Sequence, residues 1–406
     1  MIPKAAPRLP KLTLKKDLRR ALHGGAPWIY RDAVAAHKKL ADGTVVLVLG
    51  KDGRPIARGI YSASGPIAVR VLTTDPREAV DGLVGVRLER ALKAREGLLV
   101  ARETTAFRWV HGEGDKLPGL HVDVYGAYAS VYFDGAGPRA FYERNAIAPL
   151  LLEKGKALGL VAVVERGPRG ESGSNVTLAG EAQAGEIEIR EDGIVFGVDL
   201  AHGQKGGLFL DQRDNRALIR GIAQGRRVLN LFGYTGGFSL HAAFSGARQT
   251  TTVDSAAPAI EAAKRNFERN AGALAALGPR EGDDFVVADA FEYLEQARAR
   301  GKRWDLVISD PPSFAPNERA KPAALQAYTR LHRLCASVVE PSGILCAASC
   351  SSHVSETEFV RTVTLGAAEA GRRFEFREAL GAASDHPVLP AFPEGRYLKF
   401  IVGSVR

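Results

Sequence analysis

The chain has 406 residues, 45% apolar and 25% charged, which is ordinary globular material and excludes both a disordered chain and a single small module. Fifty-five Lys and Arg against 46 Asp and Glu leave a formal charge of +9, so the surface attracts polyanions. Its three cysteines, Cys335, Cys346 and Cys350, crowd into one late stretch, which excludes a disulfide framework and points to a reducing, cytoplasmic setting.

The first elements carry much of that charge. Lys4, Arg8, Lys11, Lys15, Lys16, Arg19 and Arg20 face only Asp17 before residue 24, as a solvated terminus or a phosphate-contacting arm would. No apolar run follows, so no signal peptide is expected. The longest stretch without Asp, Glu, Lys or Arg, 228–247, holds four glycines with Asn230, Thr235, Ser239 and His241, so no membrane span is expected either.

Short apolar runs split by turns then predict a small β-barrel over residues 1–75. Thr44 to Leu49 reads as a strand closed by Gly50-Lys51-Asp52-Gly53-Arg54, and 57–61 and 67–72 follow it. A helix is predicted from Pro76 to about Glu96, strands at 107–110, 120–125 and 128–133, a helix at 141–158, and strands near 161–165 and 187–190. Together these form a central α+β domain, 76–190. The loop Gly167-Pro168-Arg169-Gly170-Glu171-Ser172-Gly173 lacks the Gly-Lys-Ser/Thr ending of a phosphate-binding Walker loop.

From 191 to 406 strands and helices alternate. Strands at 227–232, 249–253, 285–288, 304–308 and 343–348, with helices between, predict an α/β domain built on a doubly wound, Rossmann-like sheet. Ligands bind such sheets beyond the carboxyl ends of the strands. The first strand ends in Phe232-Gly233-Tyr234-Thr235-Gly236-Gly237, which lets backbone N–H groups approach a ligand. Its spacing is not G-x-G-x-x-G, which argues against an NAD enzyme. The next strand ends in Asp254, suited to ribose hydroxyls, the third in Asp289, suited to an adenine amine, and the fourth in Asp310-Pro311-Pro312-Ser313-Phe314. Any one of these aspartates reads as a helix cap; the ordered set reads as a nucleoside-binding rim.

That series resembles the class I S-adenosylmethionine-dependent methyltransferases, and more narrowly the bacterial large-subunit rRNA 5-methylcytosine methyltransferases of the RlmI type. The resemblance rests on Gln204-Lys205, Phe209-Leu210-Asp211-Gln212-Arg213-Asp214-Asn215-Arg216, the 230–238 turn and Asp310-Pro311-Pro312-Ser313-Phe314. Ser349-Cys350-Ser351-Ser352-His353-Val354, Asp385-His386-Pro387 and Glu394-Gly395-Arg396-Tyr397-Leu398-Lys399 extend it. It covers the whole chain: Ala26-Pro27-Trp28-Ile29-Tyr30 resembles the family's PUA barrel, an RNA-binding module, and 113–120 its central domain.

The resemblance implies S-adenosylmethionine as cofactor, large-subunit rRNA as partner and neither metal nor membrane, and it leaves a homodimer open. It implies cofactor contacts at Phe232, Tyr234, Thr235, Gly236, Asp254, Ser255, Asp289, Ala290 and Asp310, with Gln212 and Arg213 beside them. Cys350 is the implied catalytic thiol, because it follows a strand directly. Its thiolate adds to C6 of cytosine and makes C5 nucleophilic enough to take a methyl group. Cys346 within the strand and Cys335 on a helix read as core thiols. The C-x3-C-x2-H spacing of Cys346, Cys350 and His353 has no fourth ligand near it, so zinc is not expected.

Asp310 is the second catalytic candidate, placed to hydrogen-bond the flipped base. Phe314 reads either as a stacking partner for that base or as a core aromatic. Two-cysteine RNA C5-methyltransferases carry a second cysteine where this chain has Ser313, so water or hydroxide is the expected base for the C5 proton. Lys205-Gly206-Gly207 also departs from the family's Lys-Thr-Gly. Two rival readings fit the same rim: a methyltransferase acting on a guanine nitrogen without a covalent step, and a non-catalytic RNA-binding assembly factor.

Overall fold

A computed structural model describes residues 9–101, 103–167, 175–181, 185–200 and 207–406. Lys4, Arg8, residues 168–173 of the Gly-rich loop and Gln204 to Gly206 lie outside the described residues. The chain divides into two compact units, Met1–Gly185 with Asp385–Gly395 and Glu186–Ser384 with Arg396–Arg406.

The first unit holds two five-stranded sheets. Strands β1 (Lys11–Thr13), β2 (Trp28–Tyr30), β3 (Val45–Leu49), β4 (Pro55–Tyr61) and β5 (Ile67–Thr73) pair in the order β1-β3-β4-β5-β2, with a short helix α1 (Arg19–His23) between β1 and β2. Alternation along β3 turns Val46 and Val48 inward. The Leu14–Val34 bridge and the Ala35 N–H bond to the Thr13 carbonyl (2.8 Å) join the two sheet edges and close the barrel.

The second sheet runs β10-β9-β8-β7-β6 over β6 (Ala106–His111), β7 (Leu120–Tyr125), β8 (Tyr128–Phe133), β9 (Ala162–Glu165) and β10 (Val176–Gly180). Helices α2 (Leu83–Lys93), α3 (Glu96–Ala101), α4 (Ala136–Arg144) and α5 (Ile147–Lys154) accompany it. The helix expected from Pro76 starts only after Gly82, whose φ of 78° lies in the left-handed region. The helix expected over 141–158 breaks at Ala146, φ 48°. The strand expected at 187–190 does not close this sheet; β10 is its fifth strand. Residues 385–395 return from the far end of the sequence, and the buried Asp385 carboxylate accepts the Arg108 backbone N–H at 2.8 Å.

The second unit opens with a hairpin, β11 (Glu186–Glu191) and β12 (Ile194–Asp199), followed by α6 (Arg213–Ile222). Its main sheet uses β13 (Arg227–Leu231), β14 (Gln249–Asp254), β15 (Gly282–Val287), β16 (Trp304–Ser309), β17 (Val339–Ser349), β18 (Phe374–Leu380) and β19 (Lys399–Val405). Between them lie α7 (Gly237–Phe244), α8 (Ala257–Arg269), α9 (Ala271–Ala276), α10 (Ala290–Ala299), α11 (Lys321–Val338) and α12 (Glu356–Glu369). The strand order β15-β14-β13-β16-β17-β19-β18 is parallel from β15 to β17, while β19 runs antiparallel to both its neighbours. The chain walks outward from β13 to β15 and then crosses back to β16, so the doubly wound sheet has its switch point between β13 and β16. The helix expected over 257–274 is divided at Asn270 into α8 and α9.

A buried ion pair fixes the hairpin to this sheet. Arg216 on α6 holds both oxygens of Glu191 at 2.6 and 2.7 Å, and His241 on α7 lies 3.2 Å from one of them. Desolvation raises the Glu191 carboxyl, but Arg216 and His241 outweigh it and bring it to about 2. Its contribution to stability is therefore complete above the ordinary carboxylate range and disappears as pH falls toward 2. Glu191→Ala leaves the Arg216 guanidinium buried without a counter-charge. Denaturant unfolding should show a loss of about 3–5 kcal/mol at pH 7 and a much smaller difference from wild type near pH 2.

Candidate active site

The ends of five parallel strands, β13 to β17, lie at the carboxyl edge of the sheet, on either side of the switch point. Beyond β13, Phe232 (φ 56°) and Tyr234 (φ 47°) hold left-handed backbone without being glycine, and Gly236 follows at φ 81°. Such strain persists only where the surroundings over-determine it, and here they do. The Gly233 N–H bonds the Val253 carbonyl at 2.9 Å, and a Cβ at Gly233 would stand 2.5 Å from the Thr252 methyl. Buried Thr235 donates to the Gly207 carbonyl (2.9 Å) and accepts on its own carbonyl from Asn266 (3.0 Å). Beneath the turn, Asn230 donates to Ser239 at 2.9 Å, and Ser239 shares a 2.7 Å bond with Thr252.

The acidic strand ends differ in how they are used. Asp254 accepts the Tyr234 N–H and the Ala256 N–H on opposite oxygens, both at 2.9 Å, which ties the turn to the end of β14. Ser255 beside it is exposed. Exposed Asp289 caps α10 through one oxygen, which accepts from Phe291 and Glu292, and Ala290 is buried as the first helical residue. Its second oxygen takes no hydrogen bond among the described residues, so the cap leaves an acceptor open to a ligand.

Asp310, just past β16, accepts from the Gln212 amide at 3.0 Å, and Asn215 in turn donates to Gln212 at 2.6 Å. Gln212 is buried and braces Asp310. Arg213 is wholly buried, with its guanidinium 3.4 Å from Asp214 and 3.5 Å from the Ser384 hydroxyl.

On the neighbouring strand, β17 ends at Ser349, and Cys350 follows in partly exposed backbone between buried Ser349 and buried Ser351. Hydroxyls lock this loop. Tyr328 on α11 lies 2.9 Å from both the Ser349 and Ser351 hydroxyls, and Ser351 lies 3.0 Å from Ser313 of the Asp-Pro-Pro loop. Burial is the main cause that raises the Tyr328 phenol, so it remains a neutral donor. Partly buried Phe314 packs on Tyr328 with ring centroids 4.8 Å apart, at the edge of the core. From the opposite side, Lys399 at the start of β19 donates to the Ser351 and Val354 carbonyls at 2.6 and 2.7 Å. Of the three thiols, burial pushes Cys335 up to about 12 and Cys346 higher still, so neither ionises at neutral pH. Of the three cysteines, Cys350 alone is partly exposed.

A family model of S-adenosylmethionine-dependent methyltransferases matches residues 152–392, and one of PUA-like domains matches residues 12–74. Over 394 residues, 96% of this chain and 98% of the relative, the sequence is 33% identical to the ribosomal RNA large subunit methyltransferase I of Shigella boydii. Its counterpart from Escherichia coli strain HS matches at the same identity and coverage. The chain belongs to this methyltransferase family.

Solved structures agree on the fold. A putative SAM-dependent methyltransferase from Streptococcus mutans superposes with a TM-score of 0.80 at 23% identity, covering 98% of this chain and all of that one. A putative methyltransferase crystallised with SAH gives 0.81 at the same identity and coverage. The methyltransferase uses S-adenosylmethionine, and its strand ends fit that group: a strained turn for close backbone approach, carboxylates at Asp254 and Asp289 for a nucleoside, and an open acceptor on Asp289.

Sequence reasoning located the turn, the aspartates and the thiol. It missed the bracing of Asp310 by Gln212, the Tyr328–Ser349–Ser351 hydroxyls and Lys399. The available signal was polar residues in apolar surroundings, since a buried hydroxyl or ammonium needs a partner. Tyr328→Phe removes the bond to both serines and should cost about 1–3 kcal/mol in unfolding measurements, with S-adenosylmethionine affinity in calorimetry essentially unchanged.

Proposed function

We propose that this methyltransferase transfers the methyl group of S-adenosylmethionine to C5 of a cytosine in large-subunit ribosomal RNA, in the cytoplasm, through a covalent adduct between Cys350 and C6 of the base. The observation that carries the reading is the partly exposed Cys350 just beyond β17, beside the strand that ends in Asp310. The large-subunit rRNA named for its curated relatives supports the substrate class.

The Cys350 thiolate attacks C6. The S–C6 bond forms, and the C5=C6 electron pair makes C5 nucleophilic. Asp310 sits where it can hydrogen-bond the base edge and stabilise the charge that develops on ring addition. Bound S-adenosylmethionine would supply an electrophilic methyl; C5 takes it as the sulfonium–methyl bond breaks and its electron pair returns to sulfur, leaving S-adenosylhomocysteine. Removal of the C5 proton by water or hydroxide restores the double bond as the C6–S bond breaks and the thiolate leaves. Ser313 stands where a second thiol would otherwise be, hydrogen-bonded to Ser351.

Phe232, Tyr234, Thr235 and Gly236 would hold the donor together with Asp254, Ser255, Asp289 and Ala290, while Gln212 acts through Asp310 and Arg213 through the packing around Ser384. The barrel would bring the RNA. Lys16 and Arg19 there pair with Asp32 and Asp52, whereas exposed Lys11, Lys15 and Arg20 make no ion pair among the described residues and would meet phosphates.

With labelled donor and unmodified large-subunit rRNA, nucleoside analysis should find 5-methylcytidine, and Cys350→Ala should lower transfer by at least ~10³-fold while donor affinity persists. A methylated guanosine, or full-rate transfer by Cys350→Ala, would refute the cytosine reading.

A further inference from the structure

Lys399 is a buried cation with no carboxylate partner among the described residues. It begins β19, a strand buried along its whole length, and sits directly opposite Ser349 in the β17–β19 register. Its ammonium donates to two carbonyls, those of Ser351 and Val354, which bracket the loop just after Cys350. It makes no ion pair among the described residues. Neutral carbonyls solvate a charge but do not balance it, and a buried ammonium without an anion is costly.

The titratable groups that act on it are Glu356 and Glu358 in the first turn of α12 and Cys350 in the loop after β17, with Lys321 and Tyr328 on neighbouring α11. Glu358 is already engaged: Lys321 pairs with it at 2.8 Å, and Ser355 bonds it at 2.7 and 2.9 Å in a capping box. Glu356 is exposed to water. Tyr328 is held neutral by burial. Burial lowers Lys399 to about 8, and among the opposing influences the Cys350 thiolate is the largest, ahead of both glutamates.

We propose that the Lys399 ammonium is the counter-ion of the Cys350 thiolate, a positioning residue that keeps the nucleophile ionised before RNA binds. This rests on the cytosine-C5 reading for its use in catalysis, but the pair itself needs no RNA. The proton leaves the Cys350 sulfur for solvent, Lys399 keeps its three protons, and the same two carbonyl bonds that hold the ammonium fix the loop that carries the thiolate. Both charges are then compensated in one pair, as neither would be alone. The sign is definite: a cation beside a thiol favours the charged form and lowers the pH at which it ionises.

The test is the pH dependence of Cys350 alkylation by iodoacetamide in the full-length protein, followed by peptide mass spectrometry. Cys335 and Cys346 are buried and do not compete. Wild type should show a midpoint clearly below the ~8.5 of an ordinary cysteine. Lys399→Met should move it up by about one pH unit or more, a roughly tenfold slower alkylation at pH 7, and Lys399→Arg should retain most of the wild-type midpoint. An unchanged midpoint in Lys399→Met with native melting and donor affinity overturns the proposal. If that variant does not fold, a wild-type midpoint at or above ~8.5 overturns it equally. A low midpoint that depends on Lys399, together with full methyl transfer by Cys350→Ala, would instead sustain the ion pair and refute the cytosine reading.

Discussion

The buried hydroxyl of Ser351 is the interaction on which the site depends. It meets Ser313 at 3.0 Å and Tyr328 at 2.9 Å, so the loop that carries Cys350 and the loop that carries Asp310 cannot move independently. Both loops extend neighbouring parallel strands, β16 and β17, and parallel strands run about 4.8 Å apart. That spacing brings a carboxylate and a thiol to one side of the sheet end. The hydroxyl bonds then tie the two loops to each other, which strand pairing alone does not do.

The same logic of fixing short segments from behind recurs around the rim. The turn after β13 holds two non-glycine residues in left-handed backbone, and the bonds that keep them there come from β14, α8 and the segment at Gly207. Asp254 spends one bond on that turn and another on its own loop. Asp310 is braced by Gln212, and Gln212 by Asn215. The side chains at the strand ends are thus each braced by other polar groups, so the rim is ordered in the absence of a ligand.

Much of this was legible in the chain itself, because parallel strands buried on both faces read as apolar runs and their ends as Gly- or Asp-bearing turns. The turn after β13 and the ends at Asp254, Asp289 and Asp310 all lie where that pattern puts them. What escaped it is non-local or a matter of a single backbone angle. Gln212 finds Asp310 across 98 positions of sequence. The 385–395 segment leaves the second unit and packs into the first, which no local period encodes. Helix breaks at Gly82 and Ala146 each turn on one left-handed residue inside an otherwise helical pattern. Lys399 heads an apolar strand, and only the fold reveals that its ammonium bonds the Ser351 and Val354 carbonyls of the Cys350 loop.

The most direct test of the central claim uses RNA in which cytidine is replaced by 5-fluorocytidine, incubated with the protein and S-adenosylmethionine. Fluorine at C5 cannot leave as a proton does, so a covalent route stalls with the enzyme attached to C6. A denaturant-stable protein–RNA adduct, dependent on the donor, is expected, with Cys350 on the crosslinked peptide. Methylation of the same RNA with no such adduct, or an adduct at any other residue, would contradict it.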